Sequence, residues 1–153
     1  MPDREQIIVE NQMGNPIIER FKCSYQDMLQ MDLSQLDQLY AKNIIFQDPV
    51  HEIKGLAILQ DYMADLSGNL LECRFEYLDE LLSSREAYIK WNMHFRHPRL
   101  AAGKLLTVRG VSQLNFDKKI YYHEDFYDLG AMLYEHVPVV GGMTRWLKRR
   151  LKI

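Results

Sequence analysis

Three titratable residues stand in positions the sequence itself defines: Asp48, held in the pair Asp48-Pro49, and His123 and Asp125, in the run Ile120 to Tyr127. Aspartate and histidine suit general acid–base work, because burial and neighbouring charge can bring them near neutral pH, where proton transfer is most effective. In an extended chain, alternation puts Tyr121, His123, Asp125 and Tyr127 on one face and Ile120, Tyr122, Glu124 and Phe126 on the other. Titratable and aromatic groups thus share a side. Such a strand either faces water or lines a cavity that needs polar chemistry, and we read it as a cavity wall. Proline at 49 biases Asp48 towards extended backbone and removes one donor, so Asp48 stands at a defined corner.

Around these groups the sequence offers bulky apolar material. Trp91, Met93 and Phe95 alternate along one strand, Ser112, Leu114 and Phe116 along the next, and Tyr127 closes the last. With Tyr25 they form the expected substrate-binding wall, suited to a small, largely apolar molecule. A carboxylate among Trp91, Met93, Phe95 and Tyr127 loses solvation and its pKa rises; a second carboxylate adds to the rise, and a protonated His123 opposes it. The competing reading is structural: Asp48 caps the Asp-Pro corner, Asp125 takes backbone donors, His123 is a satisfied wall residue and the aromatics are core.

Helices and strands must place these groups. Asn15-Pro16 starts a helix that carries Ile17, Phe21, Tyr25, Met28 and Leu29 at helical spacing to about Gln30. Asp32 caps a short second helix with Leu33, Leu36, Leu39 and Tyr40 apolar, and Ile44-Ile45-Phe46 is a strand ended by Asp48-Pro49. Gly55 precedes a third helix with Leu56, Leu59, Tyr62, Met63 and Leu66, ending near Gly68-Asn69. From residue 70 the apolar period drops to two. Leu71 to Tyr77, Glu86 to His97, Leu105 to Phe116 and Ile120 to Tyr127 then form four strands of one antiparallel meander. The prediction is an α+β fold, with N-terminal helices on one face of a curved antiparallel sheet that closes into a cone.

Length and composition limit the function classes. At 153 residues, 47% hydrophobic and 26% charged, the chain is one ordered domain with a full core. We divide it into a mobile N-terminal arm (1–14), the domain (15–136) and a basic C-terminal extension (137–153) that begins with Val137-Pro138 and a Gly141-Gly142 hinge. Cys23 and Cys73 sit in apolar surroundings and read as buried, reduced thiols, which suits a cytoplasmic protein. The N-terminus lacks an apolar signal core, and no window approaches a membrane span. His94 and His97 fall on opposite strand faces, so no metal is expected. Neither a phosphate loop, a dinucleotide fingerprint nor a nucleophile elbow occurs, and no cofactor is expected.

The segments LYAKNIIFQDPVHEIKG, Trp91 and VRGVSQLNFDKKIYYHEDFYDLG resemble the nuclear transport factor 2-like superfamily, particularly its SnoaL-like polyketide cyclase branch, over roughly residues 15–136. The resemblance implies the cone fold, a pocket and a homodimer formed through the open sheet face. In the ketosteroid isomerases of this superfamily, an aspartate in an Asp-Pro-Val corner is the proton-shuttling base, and Asp48 matches it. Their oxyanion hole uses a tyrosine and a protonated aspartic acid; Ser24, beside Tyr25, and Ser112 stand at those positions. In SnoaL-like cyclases and limonene epoxide hydrolase-like proteins an acidic residue near Asp125 faces the cavity, while the hydrolases' additional Arg and Asp fall near Met93 and Phe95. The expected activity is therefore an isomerase, cyclase or hydratase type of proton transfer, with Asp48 as base and Asp125 with His123 as a second acid–base pair. Tyr127 and Ser112 would donate to developing charge. A noncatalytic ligand-binding or dimerisation module is the alternative.

The last ten residues carry Arg145, Lys148, Arg149, Arg150 and Lys152 and no acid, whereas the rest of the chain holds 14 basic against 21 acidic residues. With Trp146, Leu147 and Leu151 this segment could lie on an anionic membrane. The favoured reading is a terminal helix docked on its own acidic body or on a partner copy. A short basic tail on an acidic body argues against nucleic acid as a partner.

Overall fold

The computed structural model describes residues 14–151, so the expected N-terminal arm lies almost wholly outside the described residues. The first helix, α1 (Pro16–Tyr25), begins where Asn15 accepts the Ile17 amide at 3.1 Å and Pro16 takes the first helical position. It buries Ile17, Ile18, Phe21 and Tyr25. It ends five residues short of the expected Gln30. Asp27 turns extended, bonds the Leu29 amide as cap of a 3-10 turn (Met28–Gln30), and bridges to Arg74, while the Phe75 amide takes the Gln26 carbonyl. A short polar side chain that bonds nearby backbone competes with helix continuation, and here it wins.

Asp32 caps the 3-10 helix Leu33–Gln38 as expected. β1 (Tyr40–Gln47) turns at Asp48 into β2 (Glu52–Lys54), and α2 (Leu56–Asn69) starts from Gly55, whose φ of 97° favours glycine. The meander follows as β3 (Glu72–Leu82), β4 (Glu86–Arg96), β5 (Leu106–Phe116) and β6 (Ile120–Tyr127). Leu71, expected in the first of these strands, precedes it and is exposed.

The sheet order is β2-β1-β6-β5-β4-β3. β1 joins the meander parallel to β6, with Phe46 opposite His123. The fold is α+β, with helices packed on an open, curved six-stranded sheet. One expected face is wrong. Phe116 pairs with Ile120 but Asn115 pairs with Tyr122, so Tyr121 is the extra residue of a bulge. Ile120 therefore points inward beside His123, and Tyr121 points out.

The core runs through Ile18, Leu36, Ile44, Leu59, Ile89, Leu114 and Ile120. Trp91 lies flat across β5 because its neighbour there is Gly110, where a Cβ would stand 2.2 Å from the indole ring. Cys73 is buried, and burial pushes its thiol up to about 12, but Cys23 is exposed, because α1 turns it away from the sheet. Both thiols are free.

After β6, α3 (Leu129–Met132) and a 3-10 turn (Tyr134–His136) lead into α4 (Pro138–Leu151). Gly141-Gly142 is not a hinge: α4 runs through it, with the Gly141 amide on the Val137 carbonyl at 2.6 Å. Gly141 instead allows close approach to the Glu135 carbonyl, which would meet a Cβ at 2.4 Å. Among the described residues, no helix is long and apolar enough to cross a membrane.

Candidate functional site

A cavity of about 300 Å³ opens between α2, the inner faces of β1, β3, β4 and β6, and α3. Met63, Leu66, Phe75, Trp91, Met93 and Phe95 supply apolar wall, while Tyr25, Asp48, Tyr62, Asp125 and Tyr127 bring polar groups to it. That combination, mostly apolar with a few convergent polar groups, is the ordinary character of a small-molecule site.

Asp125 is the inner end of a hydrogen-bonded chain. Its Oδ1 accepts from the Ser112 hydroxyl at 2.5 Å and meets His123 Nε2 at 2.8 Å. Ser112 in turn accepts from the Trp91 indole at 2.9 Å. His123 is 1% exposed; its Nδ1 lies 2.8 Å from the Tyr40 hydroxyl, and Tyr40 lies 2.7 Å from the Tyr25 hydroxyl. An ionised carboxylate only accepts, so with His123 neutral Nε2 carries the hydrogen, and the donations run Tyr25 to Tyr40, Tyr40 to His123, and His123 to Asp125. Burial raises the pKa of both tyrosines above the ordinary value, and they stay protonated donors. Asp125 Oδ2 takes no side-chain donor among the described residues, and Asp125 itself lines the cavity.

Asp48 is built differently. Its side chain is 5% exposed and its Oδ1 accepts the Val50 and His51 amides at 2.8 and 2.7 Å, an Asx turn that makes the Asp-Pro corner. His51 Nδ1 approaches both oxygens at 3.1 and 3.2 Å, and the Tyr62 hydroxyl donates to Oδ2 at 3.1 Å. Burial, then the Asp48 charge, lifts the Tyr62 pKa; burial, then Asp48 and Asp125, does the same to Tyr127. Both phenols remain neutral.

The remaining expected residues separate by position along the strands. Tyr25, Trp91, Met93, Phe95 and Tyr127 line the cavity. Ser112 is not on its wall but bonds Asp125 from beneath. Leu114 and Phe116 are not cavity residues. Leu114 pairs with Ala87 while Leu106 pairs with Phe95, so the two lie at the opposite end of the sheet, within the buried core. His94 is on the outer face, bonded to Thr107 and Glu76, and His97 lines the cavity. Reasoning from the sequence missed Tyr40 and Tyr62, both taken as apolar helix positions. A buried tyrosine usually brings its hydroxyl to a partner, and that was the available signal.

One polar atom stands apart. The Tyr77 hydroxyl is the buried side-chain atom without a partner among the described residues, and it borders a void of about 10 Å³ shared with Tyr25, Ser112, His123 and Asp125.

A model of the SnoaL-like domain matches residues 24–123, which include Asp48 and His123 and stop just short of Asp125. None of the curated proteins compared matches the chain. Among solved structures, one assigned as a SnoaL-like polyketide cyclase from Shewanella putrefaciens CN-32 shares 19% identity at a TM-score of 0.65, covering 76% of this chain and 90% of its own. A hypothetical protein with a ketosteroid isomerase-like fold from Catenulispora acidiphila DSM 44928, in complex with trimethylamine, has a TM-score of 0.67 at 12% identity, over 77% and 89%. TerC, co-crystallised with polyporic acid, has 0.65 at 16%, over 77% and 95%. At these identities the structures establish a shared fold.

Proposed function

Since the chain belongs to the SnoaL-like domain family, we propose that it moves a proton on a small, largely apolar substrate held in the cavity. The observation that carries this reading is that Asp125 and Tyr25, the two ends of the chain Asp125–His123–Tyr40–Tyr25, both line the same cavity. A proton accepted at Tyr25 pushes the Tyr25 proton to Tyr40, the Tyr40 proton to His123 Nδ1 and the Nε2 proton to Asp125, which returns one to the substrate. After the product leaves, water gives a proton to Asp125 and takes one from Tyr25, which resets the chain. Net protonation does not change, as an isomerisation or cyclisation requires. Tyr62 and Tyr127, held neutral, donate to charge that develops on the substrate. Asp48, with Oδ1 committed to its turn, places Tyr62 and adds negative potential at the wall.

A noncatalytic ligand-binding module is the second reading. It is favoured by the protein partners that Asp48, His123 and Ser112 already have, as in a structural network. On either reading the active unit is a homodimer formed through the outer sheet face. Leu81 and Tyr88, opposite one another on β3 and β4, together with Phe126 expose apolar surface there, which supports that pairing.

Deuterium exchange separates the two readings. The protein is incubated in D₂O with a panel of small cyclic ketones and enones, and incorporation is followed by proton NMR. A proton-transfer enzyme labels at least one compound, and Asp125→Asn and Tyr40→Phe slow the labelling by about 100-fold or more with the circular dichroism unchanged. Equal labelling in both variants would sink the relay; binding of a compound without labelling would favour the binding module.

A further inference from the structure

The helix α4 docks by its small and charged side and leaves its apolar side in water. Gly141 packs on the Glu135 carbonyl, Arg145 Nη1 donates to that carbonyl at 2.7 Å, and Lys148 pairs with Glu135 and reaches Asp128 at 3.8 Å. At 100° per residue, Gly141 and Lys148 lie opposite a stripe of Val139, Met143, Trp146 and Leu147. These four are 83, 62, 53 and 47% exposed. The Arg150 guanidinium stands 5.4 Å from the centre of the Trp146 ring, and Arg149 follows on the flank. Residues 144–153 hold five cations and no carboxylate, although the rest of the chain is acidic.

The anchor is also the cavity's edge. Leu129, Met132 and Leu133 line the cavity, and Asp128 and Glu135, on either side of them, hold α4. The helix is therefore fixed to the segment that edges the cavity.

We propose that α4 docks the protein on an anionic lipid surface and that the cavity takes its small apolar substrate from that lipid; the second clause rests on the function proposed above. Charge and chemistry select the lipid. A narrow apolar stripe with an exposed tryptophan and adjacent arginines suits the headgroup level, where the ring is half-immersed and the cations meet phosphate. A second copy docked through the same face would bring one helix with cations and no carboxylate against another, leaving Arg149 and Arg150 without an acidic partner.

The test is flotation of the full chain with phosphatidylcholine vesicles, with and without phosphatidylglycerol. Expected is binding to the anionic vesicles alone, lost at high salt and weakened at least tenfold in Arg149→Glu/Arg150→Glu and in Met143→Ser/Trp146→Ala. None of these four residues anchors the helix or lines the cavity, so melting temperature should not move. Asp125→Asn should float like the wild type, which keeps this result separate from the relay. Failure to bind anionic vesicles at low salt, or unchanged binding by the arginine variant, would overturn the proposal. So would sedimentation showing that the wild type self-associates through this face and that Met143→Ser/Trp146→Ala does not.

Discussion

The two ends of the sheet's inner face differ, although the same strands make both. At one end Leu114, Phe116, Ile120 and Ala87 are almost fully buried in the core. At the other, Met93, Phe95, Phe75 and Tyr127 enclose about 300 Å³ between α2 and α3. The side chains of the hollow end are no smaller. The contrast shows that a pocket here depends on which part of the sheet's inner face its neighbours fill, and not on the size of the side chains that the strands carry.

Alkaline titration probes the hydrogen-bonded tyrosines that join the two ends, with the largest effect. Tyr25 and Tyr40 are buried beside His123 and their folded pKa values are raised, so the folded state keeps protons that the unfolded chain releases above about pH 10. Stability is intact below pH 10 and falls as pH rises towards the folded values. The loss is about 3 kcal/mol by pH 11 for the pair, near half the stability of a marginal domain. Urea melts between pH 8 and 11, with absorbance at 295 nm reporting phenolate, should show unfolding and tyrosine ionisation together.

Truncation compares the two ends directly. Leu114→Ala should cost about 3 kcal/mol, because a close-packed site collapses poorly around the deletion. Met93→Ala should cost about 1 kcal/mol or less, since the side chain already borders open space. Chemical denaturation of both variants checks the difference, and equal losses would mean that the cavity end is as tightly packed as the core.

The two carboxylates give a smaller contrast. Asp48→Ala removes the acceptor for two turn amides and should cost about 1–2 kcal/mol with only a modest loss of exchange activity. Asp125→Asn keeps most of the fold's stability and abolishes that activity. Thermal melts alongside the deuterium assay separate the pair. The smallest expected effect is Tyr77→Phe. Removing a buried hydroxyl without a partner should leave stability within about 1 kcal/mol of the wild type, or raise it.

Much of this frame could be read before folding. The switch of apolar period near residue 70 located the meander, Asn15-Pro16 and Asp32 located two helix starts, and the Asp48-Pro49 corner is the turn the structure contains. What escaped depends on pairing rather than period. Nothing in residues 40–47 says that β1 will lie parallel to β6, so Tyr40 could not be brought to His123. The bulge at Tyr121 adds one residue to a strand, and alternation alone then assigns Ile120 to the wrong face. Ser112, Leu114 and Phe116 share a face, but only the antiparallel register with β4 decides which of them reach the cavity end.

The parallel pairing of β1 with β6 also dictates an order of assembly. Tyr40 and Ile120 are joined across most of the domain, whereas each strand of the meander meets its neighbour after a short turn. Closing the long loop costs more entropy than any hairpin, so local pairing comes first and the β1 edge is added to a sheet already in place. On a ribosome β1 emerges early and waits for β6, the strand that buries His123. The relay therefore forms only once β6 has joined β1, and a chain stopped short of Asp125 has no site to misuse.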